Sequence, residues 1–553
     1  MKENWEYKSL KDLDLTVNNK EQNIDLEYQT KPWEEFTIQE SFTEAVEKYR
    51  DKVAIIHGNI ELSYWKLDNL SDHLASFLYK NWVESGSSVW VYFSKGYLYL
   101  VSCLAILKCG ASYIHIDSTY SDEMLERIVD ENSPSAILTT TWLINKCKIN
   151  STPIYQLNSF NDWQNTSLVN LDEIDKESNP SKTAIIGYTS GTTGNPKWVD
   201  VPHKAAVYSF SKFWQEISDI PYEKKDRFAY VTYLAWDALS PLLYWSTGII
   251  IPDEATENID LLFSEFYENK VNHVFLTPTL LKKILDFLLN EKKQNDKYQE
   301  VLDNMWVVWI WGETIDSITI ERFMNTFVNS VLINNYGPTE CWVVSQGRLL
   351  KSKMKEYVEN WVPNGEILPE IWYRILNDEW ENIRLWETGY LYVSGPALAT
   401  QYIKHSDLTA EKFITLDDNQ IYFKTWDLCK ILSDWGLQII GREDFLASKE
   451  SKLLPIKEIE TSIKKIAWIK DCVIISSKKS VRKEDLLVFY VPDNKNIINN
   501  NSLQANVELN VSEFWKSFIS INIDKIPMNE TSQKINYWYL LTLANKTSIL
   551  EVL

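Results

Sequence analysis

Residues 188–199 read YTSGTTGNPKWV, a run that crowds hydroxyl groups, glycines and one lysine together. Thr189, Ser190, Thr192 and Thr193 supply donors, and Lys197 adds a mobile positive charge. Gly191 and Gly194 permit backbone angles and close approaches that a side chain would block. Consecutive N–H groups, hydroxyls and an ammonium make a cradle suited to a polyphosphate. The run departs from the Walker pattern, which needs GxxxxGK followed by Ser or Thr. On composition alone a plain Ser/Thr/Gly surface loop remains the alternative.

A cradle of this kind needs rigid elements to hold it. Short apolar runs at 87–93, 112–116, 135–140 and 183–188 predict buried strands, the last leading into the loop. Between them, 70–81 and 99–110 carry helical periodicity, and "LLFSEFYENK" and "TLLKKILDFLLNEKKQ" continue it. The alternation predicts an α/β fold of βαβ-layered, mostly parallel sheets. Near residue 440 the texture changes, "GLQIIGREDFLAS" reading as a strand into a charged turn. We expect an N-terminal unit over 1–442 and a small α+β unit over 443–553, with 494–510 a polar surface loop.

Bulk properties exclude several functions. The 553 residues carry a formal net charge of −21, which disfavours a nucleic-acid partner. No apolar run approaches the roughly 18 residues of a bilayer span, and the N-terminus lacks an apolar signal core, so the expectation is cytoplasmic. Six cysteines are scattered without CxxC spacing and read as reduced thiols, and the six histidines show no zinc spacing.

With these residues in place, "YTSGTTGNPK" resembles the phosphate loop of the adenylate-forming ligases, the superfamily of acyl-CoA synthetases, luciferases and the adenylation domains of non-ribosomal peptide synthetases. Other stretches resemble its motifs in order: LSYWKL (62–67), LKCGASYIHID (107–117), NNYGPTE (334–340), YFKTWDL (422–428), GRED (441–444) and IPMNETSQKIN (526–536). The resemblance runs from about Leu62 to Lys534, and within the superfamily it is strongest to amino-acid-activating domains.

The resemblance implies roles position by position. Thr189, Ser190, Gly191, Thr192, Thr193, Gly194 and Lys197 would embrace the β- and γ-phosphates of ATP. Tyr336 would stack on adenine with Asn334 near its amino group, Gly337 and Thr339 completing that motif. Glu340 would help hold Mg²⁺, a hard cation that prefers carboxylate and phosphate oxygens. Asp427 would accept hydrogen bonds from the ribose hydroxyls, with Arg442 beside it. Lys534, in a mobile C-terminal lid turning about Asp444, would bridge the substrate carboxylate and the α-phosphate, though Gln533 departs from the family's usual glycine. Asp237 would pair with a substrate ammonium, in a pocket lined by Phe275, Trp309, Trp311, Asn335, Val343 and Val344. The implied chemistry is activation of an amino acid or other small carboxylic acid as an acyl-adenylate. Transfer would follow to the thiol of a carrier protein or CoA arriving in trans. An acyl-CoA synthetase-like ligase and a non-catalytic relative are the alternatives.

One count is odd. Tryptophan (24) outnumbers glycine (16), whose share is about 3% against a usual 7% or so. Trp198, Trp311, Trp386, Trp426 and Trp435 stand where the family has glycine, and Trp82, Trp90, Trp361, Trp380 and Trp468 are similar. Glycine serves where φ is positive or another backbone lies close, and an indole satisfies neither without strain. Two explanations are open: a genetic code in which UGA specifies glycine, or a decayed relative whose pockets are plugged.

Overall fold

The computed structural model describes residues 34–118, 120, 122–144, 152–174, 179–189, 197–231, 238–290, 296–360, 362–432, 436–442, 446–449, 452–455, 460, 463–464, 469–476, 486–492, 518–527, 539–540 and 543. The predicted surface loop at 494–510 lies outside them.

Short runs that are apolar throughout can only sit where both sheet faces are covered, and parallel sheets provide that. Thr247–Ile250, His273–Leu276 and Val307–Ile310 are buried at every position. They belong to a nine-stranded sheet in which Val53–His57, Thr247–Ile250, Arg227–Tyr230, His273–Leu276, Val307–Ile310 and Val331–Tyr336 run parallel. Antiparallel strands close both edges. A seven-stranded sheet is built likewise, with Ser112–His115, Ser88–Tyr92 and Ala136–Thr139 parallel at its centre. A five-stranded antiparallel sheet follows, centred on the long strand Ile421–Ile431. The expected α/β architecture is what forms.

The predicted helices overlap Tyr64–Lys80, Tyr97–Lys108, Ile259–Glu268 and Pro278–Asn290. Local chemistry sets their starts. Thr37 and Glu40 form a reciprocal capping box for Ile38–Tyr49, and Ser63 caps Tyr64–Lys80. Helix His203–Glu216 packs most of its length into the main core, whose cluster includes Phe210, Phe213 and Trp214 with Phe275, Trp309 and Ile333.

Beyond residue 442, strands Ile469–Ser476, Leu486–Pro492 and Phe518–Asn522 form a three-stranded sheet. It has its own apolar cluster of Val473, Ile475, Leu487, Phe489, Ile521 and Leu540. Among the described residues, five cysteines are buried thiols that form no disulfide.

Candidate functional site

The run that opened the sequence reading closes a hairpin. Thr183–Thr189 pairs antiparallel with Lys197–Pro202, so Thr189 and Lys197 face each other as the two posts of the loop between them. The sequence announced the incoming strand but not this immediate return. The loop residues Ser190, Gly191, Thr192, Thr193 and Gly194 lie outside the described residues, as do Asp237, Asp444 and Lys534. Gly187, two residues before the loop, meets Thr339: a Cβ there would lie 3.1 Å from the Thr339 methyl. The backbone of the hairpin at Gly187 thus lies against the Thr339 side chain.

Strand Val331–Tyr336 presents its residues alternately to two faces. Asn334 donates from Nδ2 to the Pro363 carbonyl at 2.9 Å, so its amide is engaged with the backbone. Asn335, next along, turns the other way, and neither of its buried amide atoms has a hydrogen-bond partner. Tyr336 ends the strand and donates its hydroxyl to Asp427 Oδ2. Gly337 follows because nothing larger fits: a Cβ would lie 1.5 Å from the Trp342 carbonyl oxygen.

A second phenol–carboxylate pair involves Glu340, four residues after Tyr336. Tyr402 donates its hydroxyl to Glu340 Oε1 at 2.6 Å, and the Ala399 amide donates to the Glu340 carbonyl at 2.8 Å. Lys197 Nζ sits 5.6 Å from the centre of the Tyr402 ring, which joins the hairpin post to this pair. Asp427 lies opposite Arg442 in the register of Ile421–Ile431 with Leu437–Arg442. Both carboxylates are buried, at 4% exposure for Asp427 and 9% for Glu340.

Electrostatics fixes the direction of these bonds. Burial first, and then the Asp427 carboxylate, pushes the Tyr336 phenol well above its usual range. Burial and then Glu340 does the same to Tyr402. Both hydroxyls therefore keep their protons at neutral pH and act as donors, while the carboxylates accept. The buried Cys341 thiol, next in sequence to Glu340, is raised by burial and then by Glu340 and Asp427. It is held as the thiol and is a poor nucleophile.

A contrasting wall adjoins. Phe275 stacks on Trp309 with ring centres 5.4 Å apart, and Phe213 meets both edge-on and Trp311 at 6.1 Å. Trp309 donates Nε1–H to His273 Nε2 at 2.8 Å, and Trp311 donates to the Gly337 carbonyl at 3.2 Å. Trp309 pairs with Ile333 across the strands, so Asn335 shares the face of Trp309 and Trp311. Val343 and Val344 are buried in the same cluster.

The structure thus brings together Lys197, Thr339, Tyr336, Gly337, Glu340, Asp427 and Arg442, and separately Phe275, Trp309, Trp311, Asn335, Val343 and Val344. Asn334 commits one of its Nδ2 hydrogens to the Pro363 carbonyl. The sequence reading missed Tyr402, 62 residues from its partner Glu340, and no local spacing could have revealed it. It also missed Phe213, which reads as an ordinary core position of a helix. Trp311 was expected to replace a glycine, yet it has no positive φ and its indole N–H is bonded.

Comparison with known proteins follows this geometry. The profile of the family described as AMP-binding enzyme matches residues 42–403. The glycine betaine reductase ATRR of Emericella nidulans is 23% identical over 510 residues, covering 90% of this chain and 39% of that protein. The zwittermicin A synthase ZmaJ of Bacillus cereus is 25% identical over 513 residues, covering 90% of this chain and 93% of that protein. Among solved structures, a four-domain nonribosomal peptide synthetase bound to AMP and glycine superposes with a TM-score of 0.74 at 22% identity. That match covers 92% of this chain and 36% of the other. At that identity the likeness establishes the fold alone.

Proposed function

This chain belongs to the AMP-binding enzyme family, as an adenylate-forming ligase, and we propose that it activates an amino acid. A carboxylate oxygen attacks the α-phosphorus of ATP, the bond from that phosphorus to the bridging oxygen of the β-phosphate breaks, and pyrophosphate leaves. The sulfur of a phosphopantetheine thiol, carried by CoA or a carrier protein, then attacks the acyl carbon and gives up its proton, the acyl C–O bond to the phosphate breaks, and AMP leaves as the thioester forms. Charge develops on phosphate oxygens, so fixed cations and oriented donors can catalyse the first step without a protein nucleophile.

The observation that carries this reading is the coupling of Tyr336 to Asp427 and of Tyr402 to Glu340, beside Lys197. Asp427, an acceptor-only carboxylate at a strand centre, suits a pair of sugar hydroxyls. The Tyr336 ring, fixed by its own hydroxyl, suits a base. Lys197 and the 189–197 loop take the phosphates, with Thr339 against the hairpin. Glu340, a buried carboxylate beside an anion cradle, fits Mg²⁺, a hard cation that draws its other oxygens from phosphates and water. When bound it would neutralise phosphate charge. Asn335, buried and unpartnered on the aromatic face, is placed to bind a polar group of the acid, and Asp237 would take its ammonium. Residues 443–553 are proposed as a lid turning about Asp444 and delivering Lys534, with 1–442 as the core.

Pyrophosphate exchange into ATP, run with each amino acid in turn, tests this. Exchange with an amino acid is expected. Exchange only with aryl or fatty acids would shift the reading to an acyl-CoA ligase, and none with any acid would reject activation altogether.

A further inference from the structure

Among the described residues, eleven that are not glycine have positive φ, and six of these are tryptophan: Trp82, Trp245, Trp342, Trp380, Trp386 and Trp426. Tryptophan is 24 of 553 residues, so an even spread would place less than one there. Sterics should lower that share further, because bulky side chains crowd the backbone in this region and Asn, Asp and Gly are its usual occupants. We propose that positions 82, 245, 342, 380, 386 and 426 are glycine in the protein made by the organism that carries this gene, where UGA specifies glycine.

The molecule supplies its own controls. Helix Tyr97–Lys108 ends with Gly110 at φ 67, the Gly110 amide donating to Leu107 and the Ala111 amide to Ile106. This double closure is the helix ending that favours glycine. Helix Tyr64–Lys80 closes in the same way, with Trp82 bonded to Tyr79 and Val83 to Leu78. Helix Ser240–Leu243 repeats it with Trp245 bonded to Leu242 and Ser246 to Pro241. Helix Ile259–Glu268 closes likewise with Lys270 at φ 51, so one backbone device carries glycine once, lysine once and tryptophan twice. Two hairpin turns make the same comparison. The turn from Leu416 to Gln420 has Asn419 at φ 60, and the turn from Asn377 to Glu381 has Trp380 at φ 64, with matching hydrogen bonds. Asparagine there is ordinary and tryptophan is not.

Trp342 is buried against Phe210 and Trp245 packs on Tyr49, so at those two positions the backbone angle alone carries the argument, while packing gives little reason for the exposed indoles. Trp82, Trp380 and Trp386 are 87%, 59% and 50% exposed. Trp426 has a buried Nε1 without a hydrogen-bond partner, and its ring lies under Lys412 and Lys424 at 3.8 and 3.9 Å. Trp163, Trp214 and Trp309 behave differently. Each is buried, has no positive φ and donates its N–H, to Leu70, Ser240 and His273. These are tryptophan in function as well as in sequence. The consequence for the site is local: a glycine at 426 leaves Asp427 without an indole beside it and frees Lys412 and Lys424 from that ring.

Peptide mass spectrometry on the protein purified from its own organism tests the proposal. Glycine is expected at the six positions and tryptophan at 163, 214 and 309. Tryptophan at the six overturns it, and glycine at all nine overturns the structural distinction on which it rests. A second measurement uses the chain as written. Trp82→Gly should raise the thermal midpoint by roughly 2 °C, and Trp82→Ala by less, since alanine stays strained at positive φ. An equal rise from both would contradict the backbone argument.

Discussion

The two walls of the candidate site are held together by different physics. The polar wall buries Glu340 and Asp427, each answered by a tyrosine hydroxyl. The aromatic wall of Phe213, Phe275, Trp309 and Trp311 is held by ring packing, with a hydrogen bond at Trp309 and another at Trp311. Removing one member of a buried polar pair strands the other, at about 1–3 kcal/mol. Trimming a packed ring removes area and leaves a hole that neighbours partly fill. The polar wall should therefore be intolerant and decisive for nucleotide, the aromatic wall tolerant and decisive for the acid.

The largest effect is expected at Asp427. Asp427→Ala removes the proposed sugar contact and strands the Tyr336 hydroxyl, so kcat/KM for ATP should fall about a hundredfold. A variant that keeps near-normal ATP kinetics would break the division between walls. Tyr402→Phe is next: the buried Glu340 loses its donor, and stability should drop by about 1–3 kcal/mol in urea unfolding. ATP turnover should fall roughly tenfold with it. Phe275→Leu should cost about 1–2 kcal/mol and reorder the acids accepted, while KM for ATP stays within about twofold. A large rise in that KM would show that the walls are not separate.

Acid stability sharpens the contrast from the apolar side. His273 accepts from Trp309 through Nε2 and contacts the Lys225 carbonyl through Nδ1, which defines its neutral form. Burial lowers it to about 3. His203, whose Nδ1 accepts from the Ile38 amide, is lowered by burial to about 3 as well. A histidine depressed in the folded state favours unfolding once the unfolded chain can protonate. Stability should thus be flat above about pH 6.5 and fall below it, by about 2 kcal/mol per histidine at pH 5. His273→Gln and His203→Gln should each flatten that slope in chemical denaturation. An unchanged slope would exclude the assigned histidine.

Much of this was legible beforehand, for physical reasons. Strands such as Thr183–Thr189 and Ser112–His115 are short and apolar at their centres, so the sequence marks them closely. Tyr336, Gly337, Glu340 and Asp427 sit inside compact motifs. Tyr402 does not, because its partnership with Glu340 is made by folding across 62 residues. The hairpin return at Lys197 was hidden for a related reason: the loop chemistry masks the turn. Trp245 and Trp342 lie outside the motifs quoted from the sequence, Trp342 two residues beyond NNYGPTE, and the backbone angle exposes them. Trp90 and Trp198, suspected from the sequence, lie in strands without positive φ. Asn334, expected at the base, is tied to Pro363, and that engagement depends on a carbonyl 29 residues away.

The central claim, attack of a carboxylate on the α-phosphorus, can be followed atom by atom. An amino acid labelled with heavy oxygen in its carboxylate, incubated with ATP, enzyme and a thiol acceptor, should leave one labelled oxygen in the phosphate of AMP. Label found in pyrophosphate or orthophosphate, with AMP unlabelled, would contradict the account.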